Sequence, residues 1–354
     1  MNKIKALPLG SIVGILGGGQ LAKMLSLSAS QLGFKSHIYD PDISAPAKQV
    51  TNLSSTFNYN DINSLETFAN NVDVITYEFE NIPLETINFC QKITNVYPNS
   101  KSLEICQDRI AEKKFLNSIG IDTVNFEIAS SYEDIIRGIK KLGLPVVLKK
   151  NRFGYDGKGQ KVIRQKEQIE NIASQLSNEN VIIEKLIDFK MEISIIISRD
   201  VTGKISAYDP AENIHKNGIL VESRVPANIN FSLSSDSVII ASKIIKNLEY
   251  IGVMGIEFFL TKENKLLVNE MAPRVHNSGH WTQSGCIINQ FEQHIRAITG
   301  RSIGNGKRHS NVLMKNILGN EIFDIEYGNE ASINIYGKDE PKINRKMGHI
   351  NLLK

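Results

Sequence analysis

Two neighbouring segments of the chain have the composition of β-strands and predict a β-hairpin. Residues 253 to 260 and 266 to 271 are rich in branched and aromatic side chains, and a polar segment, 262 to 265, separates them. If the turn centres between Glu263 and Asn264, each residue of the first strand has a defined partner on the second. The hairpin therefore fixes one pair of antiparallel strands, and the rest of the fold must be arranged around it.

This hairpin register places Glu257 directly opposite Glu270, with their Cβ atoms about 5 Å apart on one face of the sheet. Two carboxylates at that spacing repel each other, so the arrangement indicates a hard divalent cation between them, as when Mg²⁺ also holds substrate phosphates. A loop with an odd number of residues would break the pairing. A solvated sheet surface with two glutamates is the alternative interpretation.

The segment after Glu270 favours the metal interpretation, because it crowds polar side chains around a proline. The polar residues are Arg274, His276, Asn277 and His280. Such crowding at the end of a strand indicates an anion site beside a metal.

The composition indicates a globular protein with two or three domains. The chain has 354 residues, 41% hydrophobic and 22% charged, which is long for a single core. A net charge of +3, from 41 basic and 38 acidic residues, does not indicate a nucleic-acid or membrane partner. The three cysteines form no C-x-x-C pair, and the first residues lack a signal-peptide pattern. We therefore expect reduced thiols, no zinc site and a cytoplasmic location.

The N-terminal part predicts a parallel sheet. Residues 11 to 16 are apolar, the glycine turn 17 to 19 follows, and residues 20 to 27 have the apolar spacing of a helix. Further strands are predicted at 35 to 39 and 72 to 77. Strands that alternate with helices in this way form a parallel sheet, with ligands at the carboxyl ends of the strands.

The glycine turn also supports a rival hypothesis. The pattern Gly17-x-Gly19-x-x-Ala22, with an acid at Asp40, resembles the dinucleotide fingerprint and would suit a nicotinamide-dependent oxidoreductase. Glycine turns before helices also bind other phosphates or carboxylates, so this segment alone does not decide.

The central part predicts a helix followed by a small strand-rich unit. Residues 103 to 116 have helical periodicity with Arg109 and Lys113 on one face, which is usually a solvated face. Strands are predicted at 126 to 128, 146 to 150, 161 to 164 and 181 to 184. The glycine-rich basic loop from 149 to 160 can cradle phosphates. Lys149 lies in an otherwise apolar strand, and an inward lysine needs an anion.

The remaining segments predict short strands and a cationic end. One strand is predicted at 193 to 198, and the C-terminal strands at 312 to 317, 331 to 336 and 349 to 353. Asn213 and His215 are predicted in a polar turn. The basic residues near the end are Lys338, Lys342, Arg345 and Lys346, a cluster that suits a phosphate, although such a run is more often a solvated tail.

Five motifs spread over the chain carry a family resemblance. They are G-G-G-Q-L at 17 to 21, Y-E-F-E-N at 77 to 81, G-Y-D-G-K-G-Q at 154 to 160, N-E-M-A-P-R-V-H-N-S-G-H-W-T at 269 to 282 and R-K-M-G-H-I-N at 345 to 351. Together they resemble the ATP-grasp enzymes and, among these, the N5-carboxyaminoimidazole ribonucleotide synthetases. The chain departs from the family pattern at Ala22-Lys23, where Gly-Arg is common, and at Phe153, where a glycine is common.

The resemblance implies a mixed α/β and α+β fold with three domains. These are a Rossmann-like domain at 1–105, an ATP-grasp domain at 106–300 with a lid at about 121–186, and a small β-rich domain at 301–354. It implies a ligase that uses ATP and bicarbonate to carboxylate the amine of 5-aminoimidazole ribonucleotide in purine biosynthesis, forming a C–N bond through carboxyphosphate and releasing ADP and phosphate. Relatives dimerise, so a homodimer is expected.

The resemblance also implies the residues of a nucleotide site and a metal site. ATP phosphates would contact Arg109, Lys149 and the 154 to 160 loop, adenine the corner at 184 to 187, and ribose Glu192. The full nucleotide set is Arg109, Lys149, Gly154, Tyr155, Asp156, Gly157, Lys158, Gly159, Gln160, Glu184, Lys185, Leu186, Ile187, Glu192, His215, Asn269 and Glu270. Mg²⁺, or Mn²⁺, would bind Glu257 and Glu270.

For the acceptor, the resemblance implies a second set: Gln20, Glu80, Tyr155, Asp156, Arg274, His276, Lys338 and Arg345. Arg274 would hold carboxyphosphate or CO₂, because its planar fork suits a carboxylate. His276 and Asn277 would orient the aminoimidazole, and Lys338 and Arg345 would bind its 5′-phosphate. The general base stays open between Asp156 and His276.

Two further alternatives remain beside the oxidoreductase. One is a sibling ATP-grasp carboxylase or formyl-transfer enzyme with a different acceptor, which the motifs at 269 to 282 and 338 to 346 would distinguish. The other is a non-catalytic nucleotide-binding regulator, although every expected phosphate and metal position is filled.

Overall fold

The computed structural model describes residues 6–154, 159–325 and 330–354, and these ranges contain three β-sheets. Two of them have four strands each, one parallel and one antiparallel. The third, called the large sheet below, has nine strands and includes the C-terminal strands of the chain. Across the same ranges, none of the helices combines the length and the apolar character needed to cross a membrane.

The N-terminal sheet is parallel, as predicted, with strand order β3-β2-β1-β4. Its elements are β1 (Ile12–Leu16), α1 (Gln20–Gln31), β2 (Lys35–Tyr39), β3 (Leu53–Ser55), α2 (Ile62–Asn70), β4 (Val74–Tyr77), α3 (Leu84–Cys90) and α4 (Ser100–Gln107). The central strand β1 is apolar because helices cover both faces of the sheet. Its parallel neighbours end at the same edge, so the glycine turn meets the acidic residues that follow β2 and β4.

The prediction of one continuous helix from 103 to 116 is wrong, because the helix is interrupted at Asp108. One helix, α4, ends at Gln107, and the next, α5 (Arg109–Ser118), begins directly after the break. The Asp108 carboxylate accepts a hydrogen bond from the Ala111 backbone N–H at 2.8 Å and so caps α5. After this interruption, α5 packs against strand β14 (Leu266–Ala272) of the large sheet.

The lid is an antiparallel sheet with strand order β5-β8-β6-β7. Its elements are β5 (Phe126–Ala129), α6 (Tyr132–Leu142), β6 (Val146–Lys150), β7 (Gln160–Ile163), α7 (Ile169–Leu176) and β8 (Val181–Lys185). Ile135 and Ile139 of α6 and Ala173 of α7 pack with Leu148 and Ile183 in a separate core. The four predicted strands of this unit are confirmed.

The large sheet has strand order β14-β13-β9-β11-β12-β15-β17-β16, with β10 beside β9. The elements of this region are β9 (Phe189–Arg199), β10 (Ile205–Ala207), β11 (Ala211–Lys216), β12 (Ile219–Val225), α8 (Phe231–Asn247), β13 (Gly252–Thr261), β14 (Leu266–Ala272), α9 (Thr282–Gly285), α10 (Gln290–Ile298), β15 (Val312–Leu318), β16 (Ala331–Ile335) and β17 (Lys346–Leu353). The C-terminal strands join this sheet through the β12–β15 pair. Asn213 and His215 lie in β11, so the predicted polar turn is wrong there: the segment pairs with β9 and β12.

The N-terminal domain and the large sheet share one hydrophobic core. Leu21 and Leu25 of α1 pack with Phe291 and Ile295 of α10 and with Trp281, which is fully buried. Burial of large apolar side chains across this boundary holds the two units together. The two units that border the cleft between the N-terminal strands and the large sheet are therefore packed against each other through this core.

The cap at Asp108 can be tested by substitution. Asp108→Ala should lower the free energy of unfolding by about 1 kcal/mol, because the first turn of α5 loses a backbone acceptor. Asp108→Asn, which keeps a capping oxygen, should lose less. Thermal unfolding of the two variants beside the parent measures the difference, and equal losses would contradict the capping role.

Candidate active site

A cavity of about 1140 Å³ lies where the N-terminal domain, the lid and the large sheet meet. Most of the predicted site residues line it: Gln20, Glu80, Arg109, Lys149, Gly154, Gln160, Glu192, His215, Glu257, Asn269, Glu270, Arg274, His276, Asn277, Lys338 and Arg345. Among the other predicted residues, Gly159 and the corner at 184 to 187 lie outside this lining, and Tyr155, Asp156, Gly157 and Lys158 lie outside the described residues. The fold thus gathers side chains that are far apart in sequence.

The two glutamates of the hairpin face each other as predicted, but the turn differs from the prediction. The Thr261 N–H donates to the Lys265 carbonyl at 2.9 Å, which leaves an odd loop between them. The pairing Phe258↔Val268 is followed by Glu257↔Glu270, so Asn269 is an extra residue on β14. This β-bulge compensates for the odd loop and restores the pairing.

The oxygen atoms around this pair suit a hard cation. The side chains of Glu257 and Glu270 are 16% and 40% exposed, and burial, followed by the charge of Glu270, raises the pKa of Glu257 above its ordinary value. The Asn269 Oδ1 atom is buried and has no hydrogen-bond partner among the described residues. The described residues add no third acidic, histidine or cysteine ligand to this pair, so the further ligands of a cation here would be Asn269 Oδ1, phosphate oxygens and water.

Buried cations connect this pair to the lid. Arg109 Nη1 lies 3.4 Å from Glu270 Oε2. Lys149 is inward, as predicted, and its Nζ lies 2.5 Å from Glu184 Oε2, while Lys113 Nζ lies 3.4 Å from Glu184 Oε1. Burial opposes ionisation of Glu184, but the two lysines outweigh it and lower its pKa to about 2. The interpretation of Lys113 as part of a solvated face is wrong, because it is 1% exposed.

Glu192 and His215 form a hydrogen-bonded pair on the neighbouring strands β9 and β11. Burial lowers the pKa of His215, but the hydrogen bond to Glu192 outweighs this effect and raises it. The pair is a polar wall of the cavity, where hydroxyl groups of a nucleotide have both a donor and an acceptor available.

An ion pair across the domain boundary holds Arg274. Its Nε and Nη2 atoms donate to the Glu80 carboxylate at 2.5 and 3.1 Å. Burial opposes the charge of Glu80, but Arg274 outweighs it and lowers the pKa of Glu80 to about 2. This paired geometry fixes the guanidinium plane at the cavity wall.

His276 and Asn277 are each held in place by polar neighbours. His276 Nδ1 lies 2.9 Å from Ser278 Oγ, and its Nε2 lies 3.7 Å from Glu257 Oε1. Burial, followed by the charge of Arg274, lowers the pKa of His276 to about 3, so the ring is neutral at pH 7. The amides of Asn277 and Asn316 donate to each other at 2.9 and 2.7 Å.

The cationic C-terminal loop closes the remaining side of the cavity. Lys338 Nζ donates to the Lys346 carbonyl at 2.7 Å and lies 5.5 Å from the Tyr336 ring centroid. Arg345 Nη1 donates to the Glu340 carbonyl at 3.0 Å. Both side chains line the cavity, so the structure places this part of the cluster beside the other predicted site residues. Its assignment to a phosphate stays a prediction.

The glycine turn is already occupied by carboxylates of the protein. The Gly18 N–H donates to Asp40 Oδ2 at 2.8 Å, and the Gly19 and Ala22 N–H groups donate to Glu78 at 2.9 and 3.3 Å. A Cβ atom on Gly19 would lie 2.5 Å from Glu78 Oε1, so the contact needs glycine. These donors would bind the pyrophosphate of a dinucleotide, and the geometry therefore contradicts the oxidoreductase hypothesis.

Three residues of this region were not assigned a site role from the sequence: Glu78, Glu112 and Lys113. Glu112 lines the cavity, and burial, despite the opposing charge of Lys113, raises its pKa to about 8. The sequence did carry a signal for Glu112 and Lys113. They lie one helical turn before the apolar residue Leu116, at positions of the same helix face where apolar side chains are expected. Leu116 is buried in the structure, and so are these two charges.

Comparisons with protein families agree with this architecture. Residues 114–291 match the ATP-grasp domain, residues 11–107 the ribonucleotide synthetase preATP-grasp domain, and residues 312–354 the phosphoribosylaminoimidazole carboxylase C-terminal domain. The fold and the site therefore define a protein of the ATP-grasp class.

Individual relatives narrow the class. The N5-carboxyaminoimidazole ribonucleotide synthase of Brucella melitensis is 41% identical, with 100% of this chain and 99% of that protein covered. A solved N5-carboxyaminoimidazole ribonucleotide synthetase with ADP has a TM-score of 0.96 at 36% identity, covering 99% and 94% of the two chains. The Aspergillus clavatus enzyme with ADP and 5-aminoimidazole ribonucleotide has a TM-score of 0.90 at 26% identity, covering 98% and 94%. The chain belongs to the N5-carboxyaminoimidazole ribonucleotide synthase family, which confirms the resemblance.

The closed glycine turn generates a direct prediction. NADH titrated into the protein should give no saturable change in its fluorescence, because Asp40 and Glu78 occupy the donors that a pyrophosphate needs. ADP, titrated in parallel with a fluorescent analogue as reporter, should bind. Saturable NADH binding that ADP does not displace would contradict the assignment of the turn.

Proposed function

We propose that the chain catalyses the carboxylation of 5-aminoimidazole ribonucleotide with ATP and bicarbonate, giving N5-carboxyaminoimidazole ribonucleotide, ADP and phosphate. The observation that carries the proposal is the facing pair Glu257 and Glu270, beside Arg109 and Arg274, in a cavity bounded by all three parts of the fold. The Brucella and Aspergillus relatives support the acceptor, since they carry that activity or that ligand in their names.

The first step creates a leaving group on bicarbonate, which is a poor electrophile. A bicarbonate oxygen attacks the γ-phosphorus of ATP, the bond to the β-phosphate oxygen breaks, and ADP leaves with carboxyphosphate formed. Lys149 and Arg109 lie on the cavity wall, where they neutralise charge on the phosphoryl oxygens. A divalent cation held by Glu257, Glu270 and Asn269 would supply further neutralisation of that charge.

The second step joins the amine to the activated carbon. The amine nitrogen attacks the carbonyl carbon, phosphate leaves, and the nitrogen loses a proton. Arg274, fixed by Glu80, holds the carboxylate end of the activated species or released CO₂, and His276 and Asn277 orient the aminoimidazole. Asp156 and His276 are both proposed as the group that receives the proton.

The remaining assignments rest on the same proposal. Adenine lies against the corner at 184 to 187, ribose against Glu192 and His215, and the 5′-phosphate of the acceptor against Lys338 and Arg345. The use of Mg²⁺, the limits of the domains at 105 and 300, a homodimer and a cytoplasmic location stay predictions.

ADP release tests the proposal. The protein is supplied with ATP, Mg²⁺ and bicarbonate, with and without 5-aminoimidazole ribonucleotide, and acid-labile carbamate is followed with labelled bicarbonate. We expect strong stimulation of ADP release by the ribonucleotide, with carbamate formed in equal amount. ATP turnover without that stimulation would contradict the acceptor, and no turnover at all would contradict the ligase assignment.

Removal of one proposed metal ligand should abolish most of the activity. Glu270→Gln should lower turnover by at least about a hundredfold, because a neutral amide binds a divalent cation far more weakly than a carboxylate. Its thermal unfolding should stay close to that of the parent. Glu263→Gln, in the exposed hairpin loop, is the control; near-normal turnover of Glu270→Gln would overturn the metal assignment.

The phosphate end of the acceptor site can be tested separately. Arg345→Ala should raise KM for the ribonucleotide by about tenfold or more, with little change in KM for ATP, since one charged hydrogen bond to a phosphate is lost. Lys307→Ala, at an exposed position outside the cavity lining, should change neither constant. A larger effect on KM for ATP would show that the phosphate end is misplaced.

A further inference from the structure

The edge of the large sheet carries an unusual contact between two adjacent buried charges and the β-bulge. Strand β14 is the edge strand, and the bulge lies between Val268 and Glu270. Helix α5 covers this edge with Glu112 and Lys113, which are 2% and 1% exposed. A bulge interrupts the hydrogen-bond ladder, so its backbone groups need partners from elsewhere.

Lys113 supplies donors to the bulge. Its ammonium group donates to the Val268 carbonyl at 3.3 Å and to the Asn269 carbonyl at 2.9 Å, and it lies 3.4 Å from Glu184 Oε1. A lysine has three N–H donors, and these three acceptors match them in number. The charge is therefore anchored between the bulge and the lid strand β8.

Glu112 binds the backbone of the residue that directly follows the bulge. Its Oε1 atom accepts a hydrogen bond from the Met271 N–H at 2.5 Å. The residues contacted by Glu112 and Lys113 thus lie on both sides of Glu270, whose carboxylate faces Glu257 only because of the extra residue. A change in the backbone of this segment would move Glu270 directly.

We propose that Lys113, assisted by Glu112, is a positioning residue that holds the bulge and so aims Glu270 at the cation site, while its contact with Glu184 ties that aim to the lid. The inference rests on the proposed function only in taking Glu257 and Glu270 as the metal ligands. Neither residue touches substrate in this role, since both act through the backbone of β14.

Lys113→Met tests the inference, because it removes the donors and the charge with little change in volume. Mn²⁺ is titrated, with ADP at saturation, by the loss of its free electron paramagnetic resonance signal. We expect a Kd for Mn²⁺ raised by about tenfold to a hundredfold, as for other residues that orient metal ligands. Amide exchange across 266 to 272, measured without metal, should also be faster. Lys114→Met, at the exposed neighbouring position on α5, should match the parent in both measurements.

Other outcomes are decisive in the opposite direction. A folded Lys113→Met protein whose Mn²⁺ affinity stays within about twofold of the parent would overturn the positioning role, even if β14 exchanged faster or the protein unfolded at a lower temperature. If Lys113→Met does not fold, Lys113→Gln keeps one donor and should weaken Mn²⁺ binding to a smaller extent; unchanged affinity overturns the role equally. Failure of the parent to carboxylate the ribonucleotide would contradict the proposed function and not the positioning role, because Mn²⁺ binding is measured without turnover.

Discussion

The repulsion between two carboxylates is the constraint on which the structure of this site depends. Glu257 and Glu270 face each other on adjacent strands, and the burial that surrounds them makes a double negative charge unfavourable. The two carboxylates face each other at a β-bulge, where one extra residue is inserted into β14. Asn269 is the inserted residue, and its side-chain oxygen, which has no hydrogen-bond partner within the described part of the chain, is of the hard type that such a cation prefers.

The cations and anions around this pair are arranged in a connected set. Arg109 contacts Glu270, and Lys113 joins the bulge to Glu184, which in turn holds Lys149 of the lid. Because each charge in this set has a partner in the free protein, a bound phosphate competes with an existing contact and does not meet bare charge. The lid and the facing glutamates Glu257 and Glu270 are therefore linked electrostatically before any nucleotide arrives.

Polar contacts also hold the boundary between the N-terminal domain and the large sheet. Glu80, at the end of an N-terminal strand, fixes Arg274 from the large sheet. On the same boundary, Lys23 donates to the Tyr336 carbonyl at 3.1 Å and Gln49 to the Gly337 carbonyl at 2.8 Å, next to Lys338. A cavity that needs three parts of the fold to complete it suits a reaction that brings together three substrates.

Much of this was predictable from the sequence, for reasons that particular residues make clear. The Glu257–Glu270 pairing followed from strand composition. The turn, however, is centred on Glu263 and not between Glu263 and Asn264 as predicted. The pair faces each other only because of the bulge, which has no sequence signature. The helix break at Asp108 was missed because apolar periodicity continued through a capping residue. The role of Lys113 was missed because its burial depends on Glu184 and Asn269, which are distant in sequence. The occupation of the glycine turn by Glu78 depended on the parallel register of two strands.

The most direct measurement is the position of Mn²⁺ in crystals of the protein grown with ADP, located by its anomalous scattering. We predict a peak between Glu257 and Glu270, with Asn269 beside it and the nucleotide phosphates on the open side. A Mn²⁺ peak bound elsewhere in the cavity, with these two carboxylates uncoordinated, would contradict the claim that the bulge exists to build a metal site.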